Sequence, residues 1–220
     1  MKREKYLTIL LIMCMLSYFM MVNLSMTAVA EDLSYYHANT DVNRRDALIY
    51  DLRNTFLKEK ELIEYTHDLT NLEYDDCEFI FNECKEKNID LFLILGVIKR
   101  ESNFNPKAQG VAGERGLGQL MDNTARVVAE NLGYVYDSEK LYETRYNLKL
   151  TIAQIAYLLD LYNNDIHMAL TAYNRGQQGL VEYMGKNGNE NSAASDYSEM
   201  VIHFANEYKE EFQKNSDVNF

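Results

Sequence analysis

Ile94-Leu-Gly-Val-Ile-Lys-Arg-Glu101-Ser-Asn-Phe-Asn-Pro106 is an apolar run that closes on a glutamate just ahead of the only proline in 220 residues. With one proline and ten glycines, the chain has few backbone breakers. Its apolar residues recur at helical spacing over long stretches, so the expected fold class is all-α. Within this run Ile94, Val97 and Ile98 lie seven, four and three residues before Glu101, which puts the four on one helix face. A carboxylate on that face looks inward. Apolar surroundings and the negative end of the helix dipole both disfavour its anion. A carboxylic acid that keeps its proton near neutral pH has the chemistry needed to cleave a glycosidic bond. Glutamates near helix ends are usually solvated, however, and the reading needs partners elsewhere in the chain.

The same periodicity lays out the rest. Lys2, Arg3 and Lys5 precede an apolar run from Tyr6 to Val22 and then Ala28-Val29-Ala30, the pattern of an export signal cleaved after Ala30. Left uncleaved, residues 6–22 would serve as an N-terminal membrane anchor. Residues 31–75 read as a polar leader followed by an amphipathic helix (Leu48, Leu52, Phe56, Ile63) that packs on the domain or holds it off a membrane. The main domain is expected over 76–213, with 214–220 as a tail. Its helices are expected near Cys77–Lys87, from a cap at Asp90 to Phe104, at Asn123–Leu132 and at Leu148–Tyr162. A turn at Asn163-Asn164, a helix capped by Asp165 through Tyr173, an exposed loop at 185–196 and a helix at Tyr197–Phe212 complete the chain. Residues 107–120 form a glycine-rich loop (Gly110, Gly113, Gly116, Gly118) that lets backbone approach a ligand.

Charge narrows the function. The net charge is −12, and loss of residues 1–30 removes three basic residues and one acid, leaving −14. Nucleic acid is thereby excluded as a partner, as is electrostatic adhesion to anionic polymers or lipids. Recognition is expected to rest on hydrogen bonds and on stacking by tyrosine, with 17 copies and no tryptophan. Cys77 and Cys84 on one helix would stand roughly 10 Å apart, beyond the limit of about 7 Å for a disulfide, so both read as free buried thiols. The four histidines (His37, His67, His167, His203) show no ligand spacing, and neither metal nor cofactor is expected.

Three separated blocks carry a resemblance. Glu101-Ser102, Gly116-Leu117-Gly118-Gln119 and Ala172-Tyr173-Asn174 follow in the order found in the soluble lytic transglycosylases, relatives of the goose-type lysozymes. A weaker match at Tyr197 and Val201 is similar to that family's closing helix. The resemblance implies a lysozyme-like helical domain with an N-terminal helical extension. It further implies cleavage of peptidoglycan glycan strands between N-acetylmuramic acid and N-acetylglucosamine, leaving 1,6-anhydro ends. Glu101 would then be the acid that becomes the base, so a single carboxylate suffices, unlike the paired carboxylates of most glycosidases.

Gln119 would bind an acetamido group or the glutamate, or else bridge loop backbone. Tyr173 would orient Glu101 or line the cleft. Asn174 would bind sugar or cap its helix, Ser102 would contact substrate or steady the helix end, and Tyr197 is a further cleft candidate. The chain departs from the family pattern at Gly110, where a serine able to bond the glutamate is common. It departs again at Gly118 for methionine, which predicts a wider cleft, at Arg175 for a small residue, and at Thr151 for glycine. Glu114, beside Arg115, is expected in a local ion pair.

Two alternatives stay open. A second carboxylate, Glu114 or Asp122, that positioned a water would make the protein a lysozyme-type muramidase. A non-catalytic glycan-binding wall protein would keep the fold without needing the acid. The expected address is extracellular or the cell envelope, with an envelope-spanning assembly as a further partner.

Overall fold

The computed structural model describes residues 42–186 and 193–217, together with Ser17, Met20 and Met21. The export signal and leader otherwise lie outside the described residues, as do 187–192 of the expected loop. Seven helices of ten or more residues make up the described chain: α1 Val42–Thr70, α2 Tyr74–Glu86, α3 Leu91–Ser102, α4 Asp122–Asn131, α5 Thr144–Leu161, α6 Ile166–Lys186 and α7 Asp196–Asp217. A short 3₁₀ turn at Glu139–Tyr142 precedes α5. No described helix is long and apolar enough to cross a membrane.

The chain divides into two units, 1–57 and 58–220. In the first, the leading turns of α1 expose Leu48, Ile49, Leu52 and Phe56. In the second, the trailing turns of α1 bury Ile63, Thr66 and Thr70, so packing reaches N-terminal of residue 76. Tyr65 continues this packing, with its ring edge-on to Phe92 and Phe212.

α3 is the centre of the second unit. Asp90 caps it by accepting from the Phe92 amide at 2.9 Å, and every residue from Leu91 to Ile98 is buried. Each large apolar side chain buried there contributes about 1.5–3 kcal/mol. α7 runs alongside, and Gly96 makes this approach possible: a Cβ there would stand 2.6 Å from the Val201 carbonyl oxygen. α3 ends two residues before the expected Phe104. Asn103 takes the left-handed conformation, φ 51°, that short polar side chains tolerate at helix ends. Phe104 follows at φ 63° and turns into the core.

Elsewhere the local signals act as read. Asn163 and Asn164 turn the chain at φ 52° and 63°, and Asp165 accepts from the Met168 amide at 2.9 Å. α6 runs on past Tyr173 to Lys186 through a break at Gly176, φ 76° and ψ 162°. α2 presents Cys77, Ile80 and Cys84 to the core. Both thiols are free and buried, and burial pushes Cys77 up to about 11 and Cys84 higher still. Lys149 on α5 meets Glu83 on α2 at 2.6 Å, and Arg145 meets Asp76 at 2.7 Å. These two ion pairs tie the second helix to the fifth.

Candidate active site

Glu101 occupies the last turn of α3, at the edge of a cleft of about 960 Å³. The helical pattern explains the position. Its face is shared with Ile94, Val97 and Ile98, all fully buried, so the carboxylate emerges where the apolar core meets the cleft. The Tyr197 hydroxyl, reaching from the first turn of α7, donates to Glu101 Oε1 at 2.5 Å. Burial raises the Glu101 carboxyl above its ordinary value and the Glu114 charge adds to this, while the Tyr197 hydrogen bond and the Arg100 charge oppose it. Tyr197 is itself held far above the ordinary phenol range, first by burial and then by Glu101. It therefore remains a donor to the acid. The Arg100 guanidinium stands 5.8 Å over the Tyr197 ring.

Glu101, Glu114, Gln119, Tyr173, Asn174 and Arg175 line the one cleft. Tyr173 does not spend its hydroxyl on Glu101, although the Glu101 charge reaches it. Its hydroxyl donates to the Gly118 carbonyl at 2.7 Å, pinning the glycine loop to α6. Gln119 Nε2 donates to the Ala108 and Gly116 carbonyls at 3.1 and 2.9 Å, so its amide bridges loop backbone while the residue still borders the cleft. Asn174 is exposed in the cleft wall two residues before the break at Gly176.

Of the two roles expected for Ser102, the structure shows the one at the helix end. Its hydroxyl bonds back to the Ile98 carbonyl at 3.0 Å, it is buried, and it does not line the cleft. The residue steadies the helix end, because a position directly after Glu101 falls on a different helix face.

The expected Glu114–Arg115 ion pair is a correction: it does not form. Arg115 Nη1 turns to Asp122 Oδ1 and the Ser138 carbonyl, each at 3.5 Å. Glu114 folds back on its own loop, where Oε2 accepts from the Ala112 amide at 3.0 Å. Adjacent residues in an extended segment point to opposite sides, and backbone bonds between Arg115 and Leu120 hold the segment in that form.

Asn147, four residues before Thr151 and not among the expected site residues, organises the loop. Fully buried on α5, it accepts from the Gly118 amide at 2.8 Å and donates to the Arg115 and Leu141 carbonyls at 2.9 Å each. Gly118 does not widen the cleft. A Cβ there would lie 2.0 Å from Thr151 Oγ1, so the space released by the small residue is filled by the threonine from α5. The two departures from the family pattern compensate one another. Among the described residues no group of three or more His, Cys, Asp or Glu could hold a metal ion.

Comparison with known proteins bears on the family and the fold. The sequence pattern of the family described as "Transglycosylase SLT domain" matches residues 78–195. A Haemophilus influenzae protein described as "Putative soluble lytic murein transglycosylase" is 32% identical over 100 residues, which are 45% of this chain and 17% of that protein. An inactive variant of the lytic transglycosylase Slt from Pseudomonas aeruginosa superposes with a TM-score of 0.53 at 22% identity, over 63% of this chain and 25% of that one. The 70 kDa soluble lytic transglycosylase of Escherichia coli gives 0.54 at 18% identity, over 60% and 24%. At such identity the two structures speak for the fold. The chain spans about a sixth of the relative and a quarter of each solved protein. With more than half of its length matched by the family pattern, the chain belongs to the transglycosylase SLT domain family.

Proposed function

We propose that this protein is a peptidoglycan lytic transglycosylase that cleaves between N-acetylmuramic acid and N-acetylglucosamine and leaves 1,6-anhydro ends. One observation carries the reading: a carboxyl that burial inclines to keep its proton stands at a cleft of about 960 Å³, with a tyrosine hydroxyl fixing one of its oxygens. Glu101 protonates the leaving glycosidic oxygen, and the C1–O bond breaks. The resulting carboxylate takes the proton of the muramic acid's 6-hydroxyl as that oxygen closes onto C1, so the acid is regenerated and no water is consumed. Tyr197 keeps one carboxylate oxygen occupied, leaving the other to the substrate. Gln119 and Asn174 are assigned to the sugar groups. Tyr173 holds the loop that carries Gln119.

Glu114 in the same cleft supports a second reading, hydrolysis by a muramidase with a water placed by that carboxylate. Mass analysis of soluble fragments from purified peptidoglycan separates the two, because anhydro ends are one water lighter than reducing ends. A glycan binder without catalysis is tested by Glu101→Gln, which keeps shape and removes the proton donor: unchanged lysis by that variant rejects the catalytic reading. We further propose that the protein is exported, on the strength of the basic start, apolar run and Ala28-Val29-Ala30, and acts in the envelope, with residues 6–22 as an anchor where cleavage fails.

A further inference from the structure

The cleft holds two carboxylates, and the loop is built to present the second. Gly113, at φ 97°, reverses the chain, and the Gly110 amide bonds the Glu114 carbonyl at 2.8 Å. This brings Glu114 beside Gly110. Its Oε2 accepts from the Ala112 amide at 3.0 Å. A Cβ at 110 would lie 2.1 Å from that same oxygen and 2.8 Å from the carboxyl carbon, so glycine at 110 is a condition for the carboxylate to dock. Arg115 is turned away to Asp122, and among the described residues no Lys or Arg forms an ion pair with Glu114. A half-buried carboxylate is thus left in the cleft without a neutralising partner, in the cavity that Glu101 also lines.

We propose that Glu114 is a positioning residue for the proton of Glu101: its docked, unneutralised carboxylate shares the cleft with the acid and holds the proton on it. The role rests on Glu101 being the acid, and it serves either fate of the sugar, anhydro closure or hydrolysis. The other groups around Glu101 are Tyr197 from α7, Tyr173 from α6 and Arg100 on its own helix, with Lys87 and Arg175 at the cleft wall. Tyr197 and Arg100 favour the anion. Glu114 is the charged group in the cleft that opposes it, adding to the effect of burial.

The test is the titration of the Glu101 side-chain carboxyl, followed by carbon NMR in the full-length chain, its signal identified by loss in Glu101→Gln. Glu114→Gln keeps an oxygen for the Ala112 amide and removes the charge. Its Glu101 midpoint should fall, Glu114→Asp should restore most of the difference, and added salt should shrink the gap. Wall lysis measured across pH should follow, with the Glu114→Gln rate on the alkaline limb lower by about threefold relative to its own maximum. Should Glu114→Gln fail to fold, Gly110→Ala displaces the carboxylate and should lower the midpoint likewise. A midpoint that stays put or rises when the charge is removed overturns the proposal. Because the titration needs no turnover, a chain that titrates as expected yet leaves walls intact refutes the enzymatic reading alone.

Discussion

The hydrogen bond from Tyr197 to Glu101 and the burial of Glu101 act in opposite directions, and each can be removed separately. Tyr197→Phe deletes a donor to the charged form, so the alkaline limb of the pH–activity profile should move to higher pH. A limb moved toward acid would show that the hydroxyl does not stabilise the carboxylate. Burial has a consequence for stability as well. The folded-state carboxyl lies above its ordinary value of 4.5. Below that value both folded and unfolded chains hold the proton, and the contribution to stability is fully present. As pH rises the unfolded chain releases its proton first, and the contribution is lost on passing through the raised value. Glu101→Gln should therefore melt above the parent chain at neutral pH and gain nothing below 4.5, as thermal unfolding at both pH values would reveal. An active-site acid kept at a cost in stability predicts this pattern; equal melting at neutral pH would contradict the desolvation argument.

At the scale of helices and loops, two glycines set distances that the site needs. Gly96 lets α7 approach α3 closely, which is how Tyr197 comes to lie on Glu101. Gly96→Ala would push a methyl against the Val201 carbonyl, and denaturant unfolding should show a loss of about 1–3 kcal/mol. Gly118→Ala should cost a similar amount by collision with Thr151, and Thr151→Gly should restore it; a double-mutant cycle would read this as coupling. Additive losses would reject the compensation. Such pairings explain what sequence could and could not disclose. Periodicity around Ile94 and Ile98, the Asp90 and Asp165 caps, and the Asn163-Asn164 turn are local signals, and each shows where it acts. α3 ends two residues before its expected close because nothing local announces that Phe104 is buried through a left-handed turn. The role of Asn147 has no local signature, since the loop groups it holds, Arg115 and Gly118, lie about thirty residues away in sequence. The Glu114–Arg115 pairing fails because Arg115 meets Asp122, seven residues on, while Glu114 folds onto the Ala112 amide.

At the largest scale, that of the unit 58–220, one central helix presents an acid, α7 sets Tyr197 on it, and α5 and α6 hold the glycine loop. The all-helical architecture was legible from the scarcity of breakers, whereas the break at Gly176 within α6 was not, since helix resumes beyond it. The buried Cys77 and Cys84 report on this packing. With thiols raised by burial, they should resist alkylation at neutral pH in the native chain and react on unfolding. Fast native labelling would mean that α2 opens readily from the core. The central claim, that Glu101 delivers and recovers one proton, is tested most directly by mass spectrometry of fragments released from purified peptidoglycan by the intact chain and by Glu101→Gln. The account predicts anhydro-ended fragments from the former and none from the latter. Fragments from the Glu101→Gln chain in equal yield would contradict it.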